Sequence, residues 1–208
     1  MLISITHGFL FVHVQKTAGT SLTRLLDPYA LHPSGSRVNK LGSDLMLVRD
    51  WRRHHFRIHA PLKRAQRLIP GEDYAGLFKF AFVRNPWDRL VSWYAYLLKD
   101  TSHRHHRRVA ACAFEEFARA ELKRPDRSQW WMIEDREGRP GLDYVGRFET
   151  LAEDFAEVCR RLQLPASVLP RENVSTRKPY QDYYSRELAA LVRARWAPEI
   201  EAFNYRFD

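Results

Sequence analysis

Two short segments of the sequence combine residue types that bind phosphate groups. The first contains one ammonium group, three hydroxyls and a glycine, whose missing side chain lets the backbone approach an anion closely. Its residues are Lys16, Thr17, Ala18, Gly19, Thr20 and Ser21. The second contains Arg84, whose guanidinium can bind a phosphate through two hydrogen bonds, and Ser92, two helical turns further along. These residue types predict two separate sites for anionic groups.

The residues around each segment predict that it joins a strand to a helix. Apolar runs at 9–14 and 77–83 precede the two segments and have the composition of buried strands. Apolar residues recur at helical spacing from Leu22 onward, and Asn85 suits a helix N-cap with Pro86 at the first helical position. We therefore expect an α/β fold with a central parallel sheet flanked by helices. In such sheets ligands bind beyond the carboxyl ends of the strands.

The residue order of the first segment argues against hydrolysis of a nucleoside triphosphate. Phosphate-binding loops of that class place the lysine directly after the second glycine, whereas here Lys16 precedes Gly19. A polar loop between a strand and a helix is often only a turn with an N-cap. The presence of Arg84 in the same strand-to-helix context favours phosphate binding over that simpler interpretation.

Length and composition limit the remaining possibilities. The chain has 208 residues with 45% hydrophobic side chains, which predicts one folded domain over 1–208 and excludes a disordered chain. There are 34 Lys and Arg against 25 Asp and Glu, so an anionic partner is expected. The apolar residues at the start of the sequence are expected to lead into a buried strand. No apolar stretch is long enough to span a membrane. Cys112 and Cys159 are expected to be reduced, which favours a cytoplasmic location.

Two longer segments resemble the cofactor-binding signatures of a known enzyme family. FVHVQKTAGTSL at 11–22 and FAFVRNPWDRLVSWYAYLL at 80–98 are similar to those of the sulfotransferases that use 3′-phosphoadenosine 5′-phosphosulfate (PAPS), in their carbohydrate and heparan-type branch. The similarity continues through 146–149, 173–177 and 200–207. Gln15 stands where the family usually has proline. The membrane anchor of the Golgi members is missing, so the chain resembles a soluble bacterial member.

The resemblance implies a P-loop-like sulfotransferase fold and a set of donor-binding residues. It implies that Lys16 to Ser21 bind the 5′-phosphosulfate of PAPS, and that Arg84 and Ser92 bind the 3′-phosphate. The segment from Ser175 to Lys178, with Arg177 and Lys178 as its charged residues, resembles a late loop that closes over the nucleotide. An ordinary basic surface loop is the alternative for that segment. The product is PAP, and no metal ion is expected to be required.

Sulfuryl transfer also needs a base and stabilisation of the leaving group. Lys16 can neutralise the charge that develops on the departing phosphate. Histidine is best matched to proton transfer at neutral pH, and His59, at the end of a short predicted strand, occupies the place of a family histidine between the two signatures. We therefore predict His59 as the base. The alternatives are His54, His55, Glu149 and Asp50.

The acceptor is expected to carry a hydroxyl group, with carbohydrate as the favoured class and an anionic carbohydrate included. The run HRHHRR at 103–108 predicts a solvated basic face rather than a metal site, and it can also contact an acidic acceptor. Two other functions are a noncatalytic protein that binds anions or nucleic acid, and a P-loop-like nucleotide kinase. No nucleic acid partner is expected, because the phosphate-binding residues are concentrated at two turns. The oligomeric state is not predicted.

Overall fold

The computed structural model describes residues 1–165 and 177–208, which fall into two compact units. The first unit comprises Met1–Val83 and the described part of Met132–Pro170. The second comprises Arg84–Trp131 and the described part of Arg171–Asp208. The chain enters the second unit directly after the strand that ends at Val83. The first anionic-site segment therefore belongs to the first unit, and the second segment belongs to the second unit.

A four-stranded sheet forms the centre of the first unit. Its strands, in spatial order, are β1 (Leu2–Ser4), β2 (Phe9–Val12), β3 (Phe78–Val83) and β4 (Tyr144–Arg147). The last three are parallel, with Phe80 opposite both Phe11 and Tyr144, so the predicted α/β class is confirmed. The first strand is antiparallel to the second, so the sheet is mixed, with three parallel strands and one antiparallel strand at its edge. A tight turn that ends at Gly8, with φ of 59°, reverses the chain there.

Eleven α-helices occur in the described residues. In chain order they are α1 (Gly19–Leu26), α2 (Arg37–Asp44), α3 (Leu62–Leu68), α4 (Gly71–Ala75), α5 (Pro86–Lys99), α6 (His106–Ala110), α7 (Phe114–Leu122), α8 (Gln129–Ile133), α9 (Leu151–Leu162), α10 (Arg186–Arg195) and α11 (Ala197–Ala202). In the first unit, α1 and α9 pack against the sheet. The buried side chains of this core include Phe9, Phe11, Leu22, Leu26, Phe80, Phe82, Phe155 and Val158. This packing holds the carboxyl end of β2 against the start of α1.

Helix α5 organises the second unit. The side chain of Asn85 accepts hydrogen bonds from the N–H groups of Trp87 and Asp88, and Pro86 is the first helical residue, as predicted. The indole of Trp87 is fully buried and donates to the backbone oxygen of Ala189 in α10. The start of α5 is therefore anchored both by its cap and by packing.

Cys112 and Cys159 are both free thiols, as predicted, with Cys159 buried in the core of the first unit.

Across residues 1–165 and 177–208, no helix combines the length and the apolar character that a membrane span requires.

Candidate active site

The loop that joins β2 to α1 has an uncommon backbone conformation. Lys16 and Ala18 both have positive φ, 67° and 61°, in the left-handed region that residues other than glycine rarely adopt. The hydroxyl of Thr17 is fully buried and donates to the backbone oxygen of Val14 at 3.0 Å. The hydroxyl of Thr17 therefore fixes the loop. Such costly conformations occur where the surrounding structure enforces them, often at ligand sites.

The start of α1 has the character of an anion site. Ala18 is the N-cap and makes no side-chain capping hydrogen bond, and the first turn contains no acidic residue. The first N–H groups of a helix have no partner within the helix, and the helix dipole adds positive potential there. Thr20 is exposed beside them and Ser21 is buried. The loop therefore offers backbone donors for an anionic group together with Lys16.

Gly19 is required by the packing of a neighbouring histidine. A Cβ atom on Gly19 would lie 1.8 Å from Nε2 of His13, which is closer than any nonbonded contact. The ring of His13 is buried and stacks on Phe11 with centroids 5.9 Å apart. From its sequence position, Gly19 is expected to let an anion approach the backbone. The structure adds a different requirement, because a side chain at this position displaces the ring of His13.

His59 lies beside this loop in the first unit. It belongs to a turn closed by a hydrogen bond from the N–H of Ala60 to the oxygen of Arg57, which corrects its expected position at the end of a strand. Its Nδ1 lies 3.0 Å from the backbone oxygen of His13. Because a carbonyl oxygen only accepts hydrogen bonds, Nδ1 must carry a proton. The neutral ring therefore has its lone pair on Nε2, where it can accept a proton.

A cavity of about 340 Å³ opens at His59. Its lining residues are Asp44, Arg57, His59, Ala60, Pro61 and Arg64. The guanidinium of Arg57 binds both carboxylate oxygens of Asp44, at 3.0 and 2.7 Å. This hydrogen bonding lowers the pKa of Asp44. The volume is within the range of sites for small molecules, and four of the six lining side chains are polar.

The other candidate bases occupy less suitable positions. His54 is buried with Nε2 facing Arg64, and burial followed by the charge of Arg64 lowers its pKa. Asp50 accepts a backbone hydrogen bond within its own turn and so acts as a cap. Glu149 is exposed beyond the end of β4, and His55 is half-buried outside the cavity lining. Of the predicted bases, only His59 both lines the cavity and contacts His13, which packs against Gly19 of the loop.

In the second unit, two of the predicted donor-binding residues bind one carboxylate, and a third contacts one of these two. Arg84 binds Oδ2 of Asp88 through Nε at 2.7 Å and Nη2 at 2.6 Å, and its Nη1 donates to the hydroxyl of Ser92 at 3.2 Å. Arg177 binds the other oxygen of Asp88. The side chains of both arginines are at most 13% exposed. Two guanidinium groups thus share one carboxylate, and one of them also contacts Ser92.

Gln129, which no sequence pattern singles out, holds the backbone of Arg84. Its Oε1 accepts from the N–H of Arg84 at 2.9 Å, and its Nε2 donates to the oxygen of Arg84 at 2.8 Å. Gln129 is fully buried and also donates to Glu199. No short-range pattern could reveal a pairing across 45 residues. Asp88 was also missed, although its spacing of four residues from Arg84 on a helix is a recognisable signal.

Two predicted segments are only partly relevant to these sites. Within the late loop, Ser175 and Thr176 lie outside the described residues, while Lys178 is exposed. In the run 103–108, His106 donates from Nδ1 to the oxygen of Leu97, so it anchors the start of α6.

Within the described part of the chain, no three His, Cys, Asp or Glu side chains form a group that could hold a metal ion.

Comparison with known proteins identifies the family. The profile of the sulfotransferase family matches residues 1–206. An uncharacterised protein of Archaeoglobus fulgidus is 27% identical over 110 residues, which is 52% of this chain and 86% of that protein. A sulfotransferase from Alicyclobacillus acidocaldarius aligns over 96% of each chain with a TM-score of 0.45 and 17% identity. Because the family profile covers nearly the whole sequence, this protein belongs to the sulfotransferase family.

Proposed function

We propose that the protein transfers the sulfuryl group of PAPS to a hydroxyl of a carbohydrate acceptor, giving PAP and a sulfate ester. Membership of the family supports sulfuryl transfer. The observation that carries the finer proposal is in the first unit, where His59 is bonded to His13 beside the loop from Lys16 to Ser21. A base and an anion site are thus held in one piece of the structure.

The donor-binding residues suit the two phosphate groups of PAPS. Lys16 and the backbone donors at the start of α1 bind the 5′-phosphosulfate. The N-cap of that helix makes no side-chain capping hydrogen bond, which supports this assignment. Arg84, Ser92 and Arg177 bind the 3′-phosphate, for which their charged and hydroxyl donors are the appropriate chemistry. When bound, PAPS supplies the sulfuryl group and a phosphate as leaving group.

In the transfer step, His59 accepts the proton of the acceptor hydroxyl at Nε2 as the hydroxyl oxygen bonds to sulfur. The carbonyl of His13 accepts a hydrogen bond from Nδ1 of His59, so the imidazole is already oriented for proton transfer before the acceptor binds. Lys16 stabilises the negative charge on the phosphate oxygen that separates from sulfur. The chain thus supplies a proton acceptor and a cation.

The acceptor binds in the cavity beside His59. Asp44, Arg57 and Arg64 provide hydrogen-bond donors and acceptors around it, which suits a molecule with several hydroxyl groups. The two guanidinium groups also accommodate an acidic sugar. An apolar acceptor would take water from these charged groups and offer them no hydrogen bonds in return, at a cost in binding free energy.

Transfer of label from [35S]PAPS to a panel of sugars, lipids and simple alcohols tests the proposal. We expect label to appear in at least one sugar, with equal release of PAP. A protein that binds ATP or a short oligonucleotide in place of PAP, and transfers no label to any acceptor, would be a nucleotide kinase or a nucleic-acid-binding protein instead. Titrations of the three ligands in parallel separate these outcomes.

A further inference from the structure

Helix α2, in the first unit, presents apolar side chains to solvent. Val38, Leu41 and Leu45 are 82%, 60% and 58% exposed. Their spacing of three and four residues places them on one face of the helix. Leu47, which lies in the turn that follows the helix, is 71% exposed. Single exposed apolar residues are ordinary, but a group of four between Val38 and Leu47 marks an interaction surface.

The end of α2 explains why Leu47 remains outside. Its N–H donates to the oxygen of Gly42 at 2.8 Å, and the N–H of Met46 donates to the oxygen of Ser43 at 3.2 Å, with Met46 at a φ of 58°. This is a Schellman motif, in which the residue at the position of Leu47 frequently packs on a side chain at the position of Gly42 or of Leu41. Gly42 offers no side chain, and both Leu41 and Leu47 are exposed.

Positive charge flanks this apolar stripe. Arg37, Lys40 and Arg49 are exposed, and none of them forms an ion pair within the described ranges 1–165 and 177–208. The only carboxylate of α2, on Asp44, is bound to Arg57. The surface formed by 37–49 therefore combines aliphatic side chains with cations that the protein does not neutralise.

We infer that the 37–49 surface docks on a membrane that contains anionic lipids. Its aliphatic side chains enter the boundary between headgroups and acyl chains, while Arg37, Lys40 and Arg49 meet lipid phosphates. A folded partner is a weaker fit, because a stable protein interface buries about 800 Å² on each side. Four aliphatic side chains on a short, convex helix give less than that, whereas lipids adapt to a narrow surface.

The docked surface is next to the cavity. Asp44 belongs to α2 and lines the cavity with His59, and Ile58, which precedes His59, is 52% exposed. A membrane against this face therefore lies beside the mouth of the cavity. If the proposed function is correct, docking brings acceptors carried by lipids to His59. The docking itself does not depend on that function.

Sedimentation with vesicles tests the inference. We expect wild-type protein to bind vesicles of phosphatidylcholine mixed with phosphatidylglycerol, and to bind less as salt is added. Replacing Val38, Leu41 and Leu45 by Ser should weaken binding at least about ten-fold. Replacing Arg37, Lys40 and Arg49 by Gln should abolish the preference for the anionic lipid. The control is Ile5→Ser, which removes an exposed apolar group elsewhere in the first unit.

Three outcomes would overturn docking on a membrane. These are wild-type protein that binds no vesicles, serine and glutamine variants that both bind as the wild type does, and a wild-type dimer that the serine variant converts to a monomer. The last result, from light scattering, assigns the surface to a second copy of the chain. If the serine variant does not fold, the glutamine variant decides. Transfer to a soluble acceptor should be the same in all variants, so a failed docking leaves the proposed function standing.

Discussion

The Nδ1 atom of His59 lies 3.0 Å from the backbone oxygen of His13, and the two rings meet edge to face with centroids 4.6 Å apart. His13 in turn occupies the space that a side chain at position 19 would fill. The candidate base and the candidate anion loop are therefore connected through one buried histidine. Such support is what holds reacting groups in a productive geometry.

Replacing His59 by Gln should separate catalysis from donor binding. We expect kcat for sulfate transfer to fall by about a hundred-fold or more, because the base is lost, while PAP affinity is unchanged. The matched control is His55→Gln, which changes a half-buried histidine outside the cavity lining. Turnover close to that of the wild type in His59→Gln would transfer the role of the base to another residue, with Glu149 the first to test.

Gly19→Ala should disturb both stability and donor binding. The new methyl group meets the ring of His13, so we expect a loss of about 1–3 kcal/mol in the free energy of unfolding and weaker PAP binding. Gly71→Ala is the control, because its Cβ meets nothing within 4 Å. In a His13→Ala background the cost of Gly19→Ala should shrink. An equal cost in both backgrounds would show that the two residues do not interact.

The buried ring of His13 should make stability depend on pH. Burial, with a smaller contribution from the charge of His59, lowers the pKa of His13 from 6.5 to about 3. The unfolded chain therefore binds a proton that the native chain does not, between about pH 6.5 and pH 3. This contribution to stability is fully present above pH 6.5 and falls as the pH drops, by up to about 1.4 kcal/mol per pH unit.

Urea denaturation of wild-type protein and His13→Gln at pH 7 and pH 5 measures this effect. Between the two pH values the wild type should lose about 2 kcal/mol more than the variant, which has no ring to protonate. Other titrating groups are common to both proteins and cancel in the comparison. Identical losses would mean that His13 is not buried in its neutral form.

Arg84→Lys should weaken binding of the 3′-phosphate even though the charge is kept. The guanidinium reaches Asp88 and Ser92 at once, whereas an ammonium group cannot form that fork. We expect PAP affinity to fall by about 10- to 100-fold, seen as a smaller rise in Tm with PAP. Arg193→Lys, on the exposed side of α10, is the control and should respond to PAP as the wild type does. An unchanged response in Arg84→Lys would remove Arg84 from the site.

Local features were predictable from the sequence, and long-range pairings were not. The strand before Lys16 and the Asn85 cap depend on neighbouring residues, so periodicity and capping preferences reveal them. The hydrogen bonds between the side chain of Gln129 and the backbone of Arg84 join distant parts of the chain, so no local sequence pattern predicts them. The three-residue strand β1 was missed because its sequence continues the apolar character of the strand with which it pairs.

The candidate site also combines local features that the sequence predicts with long-range contacts that it does not predict. The residue types from Lys16 to Ser21 indicated an anion loop, but the burial of the Thr17 hydroxyl depends on the folded loop. His59 was selected by resemblance, while its bond to the carbonyl of His13 needed the structure. The reason for Gly19 also lies in a tertiary contact, since the ring of His13 fills the space beside it.

Calorimetric titration of PAP tests the central claim most directly, because it needs no knowledge of the acceptor. We expect wild-type protein to bind PAP at one site, and Lys16→Ala and Arg84→Ala each to lose at least about a hundred-fold in affinity. Absence of PAP binding by the wild type, or unchanged affinity in both variants, would contradict the claim that this sulfotransferase uses PAPS through these two sets of residues.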